Sequence, residues 1–228
     1  MSCFIKRVFD IIASALALII LSPLFLFIAI GIKVSSRGSV FYKANRCGMR
    51  REQFSMYKFR SMHIVENSVE KSFIADENRI FPFGSFLRKS KLDELPQLIN
   101  VFFGTMSVVG PRPPSTANVD DLYIKKYSII LDIKPGLTSY ASLFDYKHGE
   151  LFVEDNERYI AEILPVRLDL ELFYAETKNI ATDFKLILTT IYTIICIILG
   201  KKNFKYTKIE KYYIDKNTNI NDKCEVTI

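Results

Sequence analysis

Asp93 and Glu94 are adjacent carboxylates in the stretch RKSKLDELPQLINVFFG, and Arg112 follows inside Gly110-Pro111-Arg112-Pro113. Residues of these types suit chemistry on a metal-bound phosphate. Two anions about 5 Å apart repel by roughly 3 kcal/mol at an effective dielectric of about 20. A pair that stays ionised therefore needs Mg²⁺, a basic neighbour or full exposure. The prolines around Arg112 exclude a helix and leave its guanidinium on a stiff backbone, suited to gripping an oxyanion. An ordinary proline turn with a solvated arginine would read the same way.

The local sequence also offers a purely structural role for the acids. Ser90 suits a helix N-cap with Asp93 at N3, an approximate capping box. Glu94 would then be a favourable first-turn charge and Gly104 the residue that closes the helix. The two roles are compatible, since a helix N-terminus also attracts phosphate. Arg88, Lys91 and Arg112 are placed to gather around such an anion.

Upstream, Val40-Phe41-Tyr42 and Phe54 to Arg60 read as strands of a basic hairpin whose tip spans Arg46 to Arg51. Phe54, Met56, Lys58 and Arg60 share one face. Lys58 and Arg60 are candidate phosphate contacts, or else meet solvent or lipid headgroups. Residues 62–82, polar and irregular through Asp76-Glu77-Asn78-Arg79 to Pro82, read as a loop. Downstream, Ile133 to Thr138 is a turn entering a strand over Ser139 to Phe144, and Asn156 to Ile163 and Arg167 to Glu176 read as helices.

These elements need an anchor. From Ile11 to Ile32 the chain is uncharged and apolar, and as a helix it would be about 33 Å long, enough to cross a bilayer core of about 30 Å. Ser22-Pro23 falls at its midpoint, where proline breaks the hydrogen-bond ladder and Ser22 can rebond a freed carbonyl. Lys6 and Arg7 precede the run, and Lys33, Arg37, Lys43, Arg46, Arg50 and Arg51 follow it. Positive charge on both flanks fits a kinked hairpin that enters and leaves by one face, the alternative being a straight span with its more basic end inside. A second uncharged run, Leu186 to Leu199, is too short to span and reads as interfacial. The tail, carrying Lys201, Lys202, Lys205, Lys208 and Lys211, is expected to fray or lie on anionic lipid.

With 228 residues, 49% of them hydrophobic and 25% charged, the chain holds one ordinary core plus membrane-seeking segments. The expected division is a membrane hairpin over 1–36, a catalytic domain with interfacial helices over 37–200, and a basic polar tail over 201–228. The fold class is α/β of the α+β kind, a mostly helical small domain with a short β-hairpin. A net charge of +6 and a pI near 9.0 favour an anionic partner. The positive charge lies beside the apolar runs rather than on a separate soluble face, so no nucleic-acid partner is expected. Four cysteines without a CxxC, and only two histidines, exclude a disulfide scaffold or a zinc site and suit a reducing compartment.

The ordered series KRVFD, an apolar hairpin broken at Ser-Pro, Gly-x-Val-Phe-Tyr-Lys, Tyr-Lys-Phe-Arg-Ser-Met, Phe-Leu-Arg-Lys-Ser-x-Leu-Asp-Glu-Leu-Pro-Gln, Val-Gly-Pro-Arg-Pro and Lys-Pro-Gly-Leu-Thr resembles the bacterial sugar transferase family, the monotopic phosphoglycosyl transferases, in its small single-domain form. The resemblance implies transfer of a sugar-1-phosphate from a UDP-sugar to a polyprenol (undecaprenyl) phosphate with release of UMP, initiating surface polysaccharide or glycoconjugate assembly. It implies Asp93 as nucleophile, forming a covalent phosphoglycosyl-aspartate, and Mg²⁺ held by Glu94 with Asp93. Arg112 becomes a nucleotide or phosphate contact, with Lys58, Arg60 and Arg88 supporting, and Ser22 and Pro23 the break of a re-entrant helix. The implied location is the bacterial inner (cytoplasmic) membrane, with the catalytic domain on its cytoplasmic face. The partners are UDP-sugar, polyprenol phosphate and membrane lipid, with a homo-oligomer and downstream glycosyltransferases left open. The chain has no tryptophan, whereas many members carry one soon after Lys-Pro-Gly-Leu-Thr, so the resemblance does not fix the sugar. A membrane-anchored anion-binding or scaffold module without turnover is the alternative.

Overall fold

Pro23 lacks the N–H that would reach back four residues to the Ile19 carbonyl. In the computed structural model of the protein, which describes residues 3–64, 77–117, 119–148, 157, 159–201 and 203–225, the Ser22 hydroxyl donates to that carbonyl at 2.8 Å. The apolar run is accordingly two helices, α1 (Cys3–Ile20) and α2 (Ser22–Ser35), bent by 60° at Leu21. The rebonding expected of Ser22 is what stabilises the bend.

The charged start of α1 is keyed into the domain. Arg7 donates at 2.6 Å to the carbonyls of Val101 and Phe102, at the C-terminal end of α4 (Gln97–Phe103). Lys6 pairs with Asp183 of α8 (Ile180–Ile198) at 2.5 Å. Asp10 is buried and accepts the Ser107 hydroxyl and the Val108 N–H of β3 (Ser107–Val109). Past Asp10, α1 leaves Ile12, Leu16, Ile19 and Ile20 exposed. At its other end α2 returns to the domain, where Ile28 and Ile32 pack fully buried against Phe59, Phe81 and Leu87. Both ends of the hairpin therefore rest on one body.

The hairpin β1 (Phe41–Cys47) and β2 (Gln53–Phe59) is antiparallel, with Phe41 opposite Phe59 and Cys47 opposite Gln53. Its tip turns through two successive left-handed residues, Arg50 (φ 56°) and Arg51 (φ 64°), and Arg51 is tied to Asp120. Of the expected loop over 62–82, residues 65–76, Asp76 among them, lie outside the described residues. Met62 bridges Ile80 just before α3 (Pro82–Lys89).

A second two-stranded sheet pairs β3 in parallel with β4 (Gly136–Thr138). Here the Val-Gly-Pro-Arg-Pro and Lys-Pro-Gly-Leu-Thr motifs become one feature, because Gly110 and Gly136 lie back to back. A Cβ on Gly136 would sit 2.0 Å from the Gly110 nitrogen, and one on Gly110 2.3 Å from the Lys134 carbonyl oxygen. Gly136→Ala is expected to cost at least about 2 kcal/mol of stability, read as a lower midpoint of thermal unfolding in detergent. An unchanged midpoint would show that the two backbones do not meet this closely.

The strand expected over Ser139 to Phe144 is instead the start of α6 (Tyr140–His148), after a short α5 (Val119–Leu122). Ser139 caps that helix by accepting the Ser142 N–H at 3.0 Å, which starts a helix directly after the turn. The helix over Arg167 to Glu176 is present inside α7 (Leu164–Thr177), which follows a wide turn at Tyr159–Ile163; Asn156 and Arg158 lie outside the described residues. The second apolar run belongs to α8, whose 19 residues are long and apolar enough to cross a membrane. One side of α8 is nevertheless committed to the domain through Asp183, Leu186 and Thr190, while Phe184, Leu188, Ile191, Tyr192 and Ile195 are exposed.

The tail, finally, is ordered as α9 (Lys208–Glu225) rather than frayed. Glu210 is buried, pairs with Lys147 at 3.0 Å and accepts the Thr207 N–H at 2.6 Å. Ile209, Tyr213 and Ile214 pack against the core around Phe144 and Leu170, while Lys216 and Asn217 reach Asp169. These contacts bind α9 to α6 and α7.

Candidate active site

Asp93 and Glu94 do not lie in the first turn of a long helix. Ser90 ends α3, its hydroxyl donating back to the carbonyls of Phe86 and Leu87, so it cannot serve as the N-cap expected of it. Lys91 then adopts a left-handed conformation (φ 58°), and Leu92–Glu94 form a single 3₁₀ turn. Pro96 has no N–H to offer the Leu92 carbonyl, which takes that of Leu95 instead, and α4 begins only at Gln97. Gly104 ends α4 with φ 90°, as expected. Leu92 and Leu95 join the cluster around Ile28 and Ile32 of α2. The α1–α2 hairpin thus forms the floor beneath the acidic pair.

Both acids are buried, at 5% and 6% exposure, but their surroundings differ. Glu94 is gripped from three directions. Its Oε1 accepts Lys58 Nζ and Arg112 at 3.0 Å each, and its Oε2 accepts the Tyr146 hydroxyl at 2.9 Å. Asp93 takes no hydrogen bond or ion pair among the described residues, although Lys58, Arg88 and Lys91 are close enough to act on it through space. Burial pushes the Asp93 carboxyl above the ordinary carboxylate range, Lys58 pulling it back and Glu94 adding to the rise. Burial acts the same way on Glu94, but Arg112 and Lys58 together hold it well below that range. Glu94 in turn raises Arg112, while burial first and Glu94 second raise the Tyr146 phenol. Ionised Glu94 beside a desolvated Asp93 that has no partner among the described residues is the asymmetry that a nucleophile and its helper need.

Each grip on Glu94 has its own support. Asn100 of α4 ties down the strand that carries Lys58, accepting the Tyr57 N–H at 2.9 Å and donating to the Ser55 carbonyl at 2.8 Å. The Arg112 segment is pinned where the Gly136 N–H meets the Pro111 carbonyl, where the Cys47 N–H meets that of Pro114, and where the Arg112 N–H meets Glu171. Tyr146 comes from α6, and Lys91 covers its ring at 5.1 Å.

Of the basic residues predicted from sequence, Lys58 and Arg112 meet at Glu94, and Arg88 stands near Asp93 with a donor on the Met62 sulfur. Arg60 is a correction. Its guanidinium is buried and spent on the Ser39 carbonyl and on the hydroxyl and carbonyl of Ser36, where it locks the chain leaving α2. Strand alternation put it beside Lys58, but β2 ends at Phe59. Tyr146 and Glu171 were not anticipated.

Among the described residues no group of three or more His, Cys, Asp or Glu is gathered to hold a metal. The carboxylates of Asp93 and Glu94 nonetheless suit Mg²⁺, which is commonly held by one or two carboxylates with phosphate and water completing its shell. A carboxylate has about four lone-pair sites. Three on Glu94 are occupied, and among the described residues none takes up a site on Asp93.

The family model described as bacterial sugar transferase matches residues 1–196. The chain belongs to the bacterial sugar transferase family. Among its relatives, the UDP-glucose:undecaprenyl-phosphate glucose-1-phosphate transferase of Klebsiella pneumoniae is 37% identical over 191 residues, 82% of this chain and 39% of the relative. The UDP-N-acetylgalactosamine-undecaprenyl-phosphate N-acetylgalactosaminephosphotransferase of Aeromonas hydrophila is 34% identical over 195 residues, 84% of this chain and 44% of that one. The exopolysaccharide production protein PSS of Rhizobium leguminosarum bv. phaseoli is 32% identical over 198 residues, 84% of this chain and 95% of its own length. This bacterial sugar transferase therefore spans about two fifths of the first two relatives and nearly all of the third. Every motif quoted from its sequence up to Lys-Pro-Gly-Leu-Thr falls inside the family match, whereas α9 lies beyond it.

Proposed function

We propose that this chain transfers a sugar-1-phosphate from a UDP-sugar to polyprenol (undecaprenyl) phosphate and so starts assembly of a surface polysaccharide or glycoconjugate. The observation that carries the reading is a buried Asp93, without a partner among the described residues, beside a Glu94 held by two cations and a phenol, on a floor made by the α1–α2 hairpin. An Asp93 oxygen attacks the sugar-bearing phosphorus. The bond from that phosphorus to the bridging oxygen breaks, and UMP leaves with the electron pair. An oxygen of the lipid phosphate then attacks the same phosphorus, the aspartyl oxygen departs, and a polyprenol diphosphate sugar results. Arg112, Lys58, Arg88 and Lys91 supply positive charge around the diphosphate. Bound Mg²⁺, with Glu94 and Asp93 as its carboxylate ligands, would offset the charge of the diphosphate and of departing UMP.

The membrane arrangement is read from the same contacts. Because both ends of the α1–α2 hairpin dock on the domain, it is taken as re-entrant, with the domain on the cytoplasmic face of the inner membrane. The domain contacts along one side of α8 favour an interfacial position over a crossing. The exposed Phe102 and Phe103 of α4 and Phe86 of α3 extend the apolar surface.

Supplying purified protein with a panel of UDP-sugars, and measuring UMP release with and without polyprenol phosphate and Mg²⁺, tests the proposal. Release that needs the lipid acceptor for sustained turnover is expected. No release with any donor would favour the anchored binding module. Tyr146→Phe removes one charge-assisted hydrogen bond to Glu94, and turnover is expected to fall about tenfold with a smaller change in KM for the nucleotide sugar, as steady-state kinetics would show.

A further inference from the structure

Pro111, Pro113 and Pro114 have no backbone N–H, so Arg112 carries the single main-chain donor of that run. The donor goes to Glu171 Oε1 at 2.9 Å. The same oxygen accepts the Ser139 hydroxyl, also at 2.9 Å, and Ser139 caps the first turn of α6. Arg112 and the Tyr146 of α6 are two of the three groups that grip Glu94. We infer that Glu171 is a positioning residue that sets, through one buried carboxylate oxygen, both the Arg112 segment and the helix that presents Tyr146. The inference deepens the transferase reading and rests on it.

A carboxylate this buried is costly to place and is kept where its hydrogen bonds are needed. Glu171 is 2% exposed on α7, and its Oε2 has no hydrogen-bond partner among the described residues. Burial lifts its pKa to about 7, against the pull of the Arg112 N–H, the Ser139 hydroxyl and Arg167, while Asp145 adds to the rise. A proton taken up would sit on the unpartnered Oε2, and Oε1 would go on accepting both donors. The grip therefore survives titration, and glutamine, which keeps the accepting oxygen, imitates the protonated form. Alanine removes the acceptor, strands the Arg112 N–H and leaves the Ser139 hydroxyl only the Ser142 hydroxyl at 3.2 Å. If Glu171 only stabilised the core, its loss would act regardless of what residue 112 is.

The test is a double-mutant cycle on the full chain in detergent, with Arg112→Ala, Glu171→Ala, their combination, and Glu171→Gln. Two quantities are read: binding of UDP, as the rise it causes in unfolding temperature, and steady-state UMP release. Glu171→Ala is expected to weaken UDP binding and lower kcat/KM by about tenfold; once Arg112 is already alanine it should change UDP binding by less than about threefold and leave only the smaller kcat/KM loss that acts through Tyr146. Glu171→Gln should retain at least about a third of wild-type activity. Losses that multiply in the double variant, or a glutamine variant as impaired as the alanine one, would overturn the assignment. Should Glu171→Ala not fold, Glu171→Asp, whose shorter side chain withdraws the oxygen, takes its place with the same two outcomes. UDP binding needs no turnover, so a chain that binds UDP but releases no UMP would overturn the transferase reading while the cycle still decides the role of Glu171.

Discussion

Asp93→Asn is expected to lower UMP release by at least about 10³-fold while leaving the protein as stable as before or more so. The amide has the size of the carboxylate but no anionic oxygen to attack phosphorus. Asp93 takes no hydrogen bond or ion pair among the described residues, so nothing visible is broken by the change. Its carboxyl is raised above the ordinary range by burial, meaning that its charge opposes folding at neutral pH. The folded state holds that proton more tightly than the unfolded chain, so the contribution of Asp93 to stability is largest in acid. It is lost as pH climbs from the unfolded value of 3.8 through the higher folded one. In protein stripped of metal, the asparagine variant should gain on wild type as pH rises through this window. Capture of a labelled phosphosugar on wild type but not on the variant would locate the covalent step. Full UMP release from the variant would sink the nucleophile assignment.

What could be read in advance was whatever a short stretch of chain decides by itself. Ser22-Pro23 fixes the bend because the lost donor and the substitute hydroxyl are neighbours, and Gly104 ends α4 because a left-handed residue is needed there. The acidic pair, Lys58 and Arg112 were legible as residue types suited to phosphate. Ser90 was ambiguous, since one hydroxyl can satisfy either end of a helix, and only the left-handed Lys91 and the missing donor of Pro96 settle which. Tyr146 was hidden because the Lys-Pro-Gly turn before Ser139 reads as the entry to a strand, although the capping pair of Ser139 and Ser142 was in view. Glu171 gave no local signal: it is one acid on a helix, and its meaning comes from two loops that tertiary packing brings to it. The docking of the tail was not foreseen because its lysines are conspicuous, whereas the residues that dock it, Ile209, Glu210 and Tyr213, are interleaved with them at helical spacing.

Glu94→Gln should do the opposite to stability while also removing most activity, by about 10²-fold or more. Glutamine keeps the shape and one accepting oxygen but not the charge that Lys58 and Arg112 share. Removing one member of a buried ion pair costs about 3–5 kcal/mol. Because the Lys58 and Arg112 side chains are 18% and 30% exposed, water takes over part of their solvation, and about 2–3 kcal/mol is the better expectation. The sign against pH is also reversed. With its folded pKa held well below 4.5 by Arg112 and Lys58, Glu94 contributes stability above pH 4.5 that fades as pH falls through the folded value. Wild type and the glutamine variant should therefore differ most at neutral pH and converge in acid, whereas wild type and Asp93→Asn diverge as pH rises with the variant ahead. Thermal unfolding of the three proteins across pH, in the presence of a chelator, separates these patterns. A glutamine variant as stable as wild type at neutral pH would mean that the two cations do not converge on Glu94. Two adjacent carboxylates with opposite stability signatures would show that burial without a partner readies Asp93 for attack, while the neighbouring ion pairs hold the pair in place.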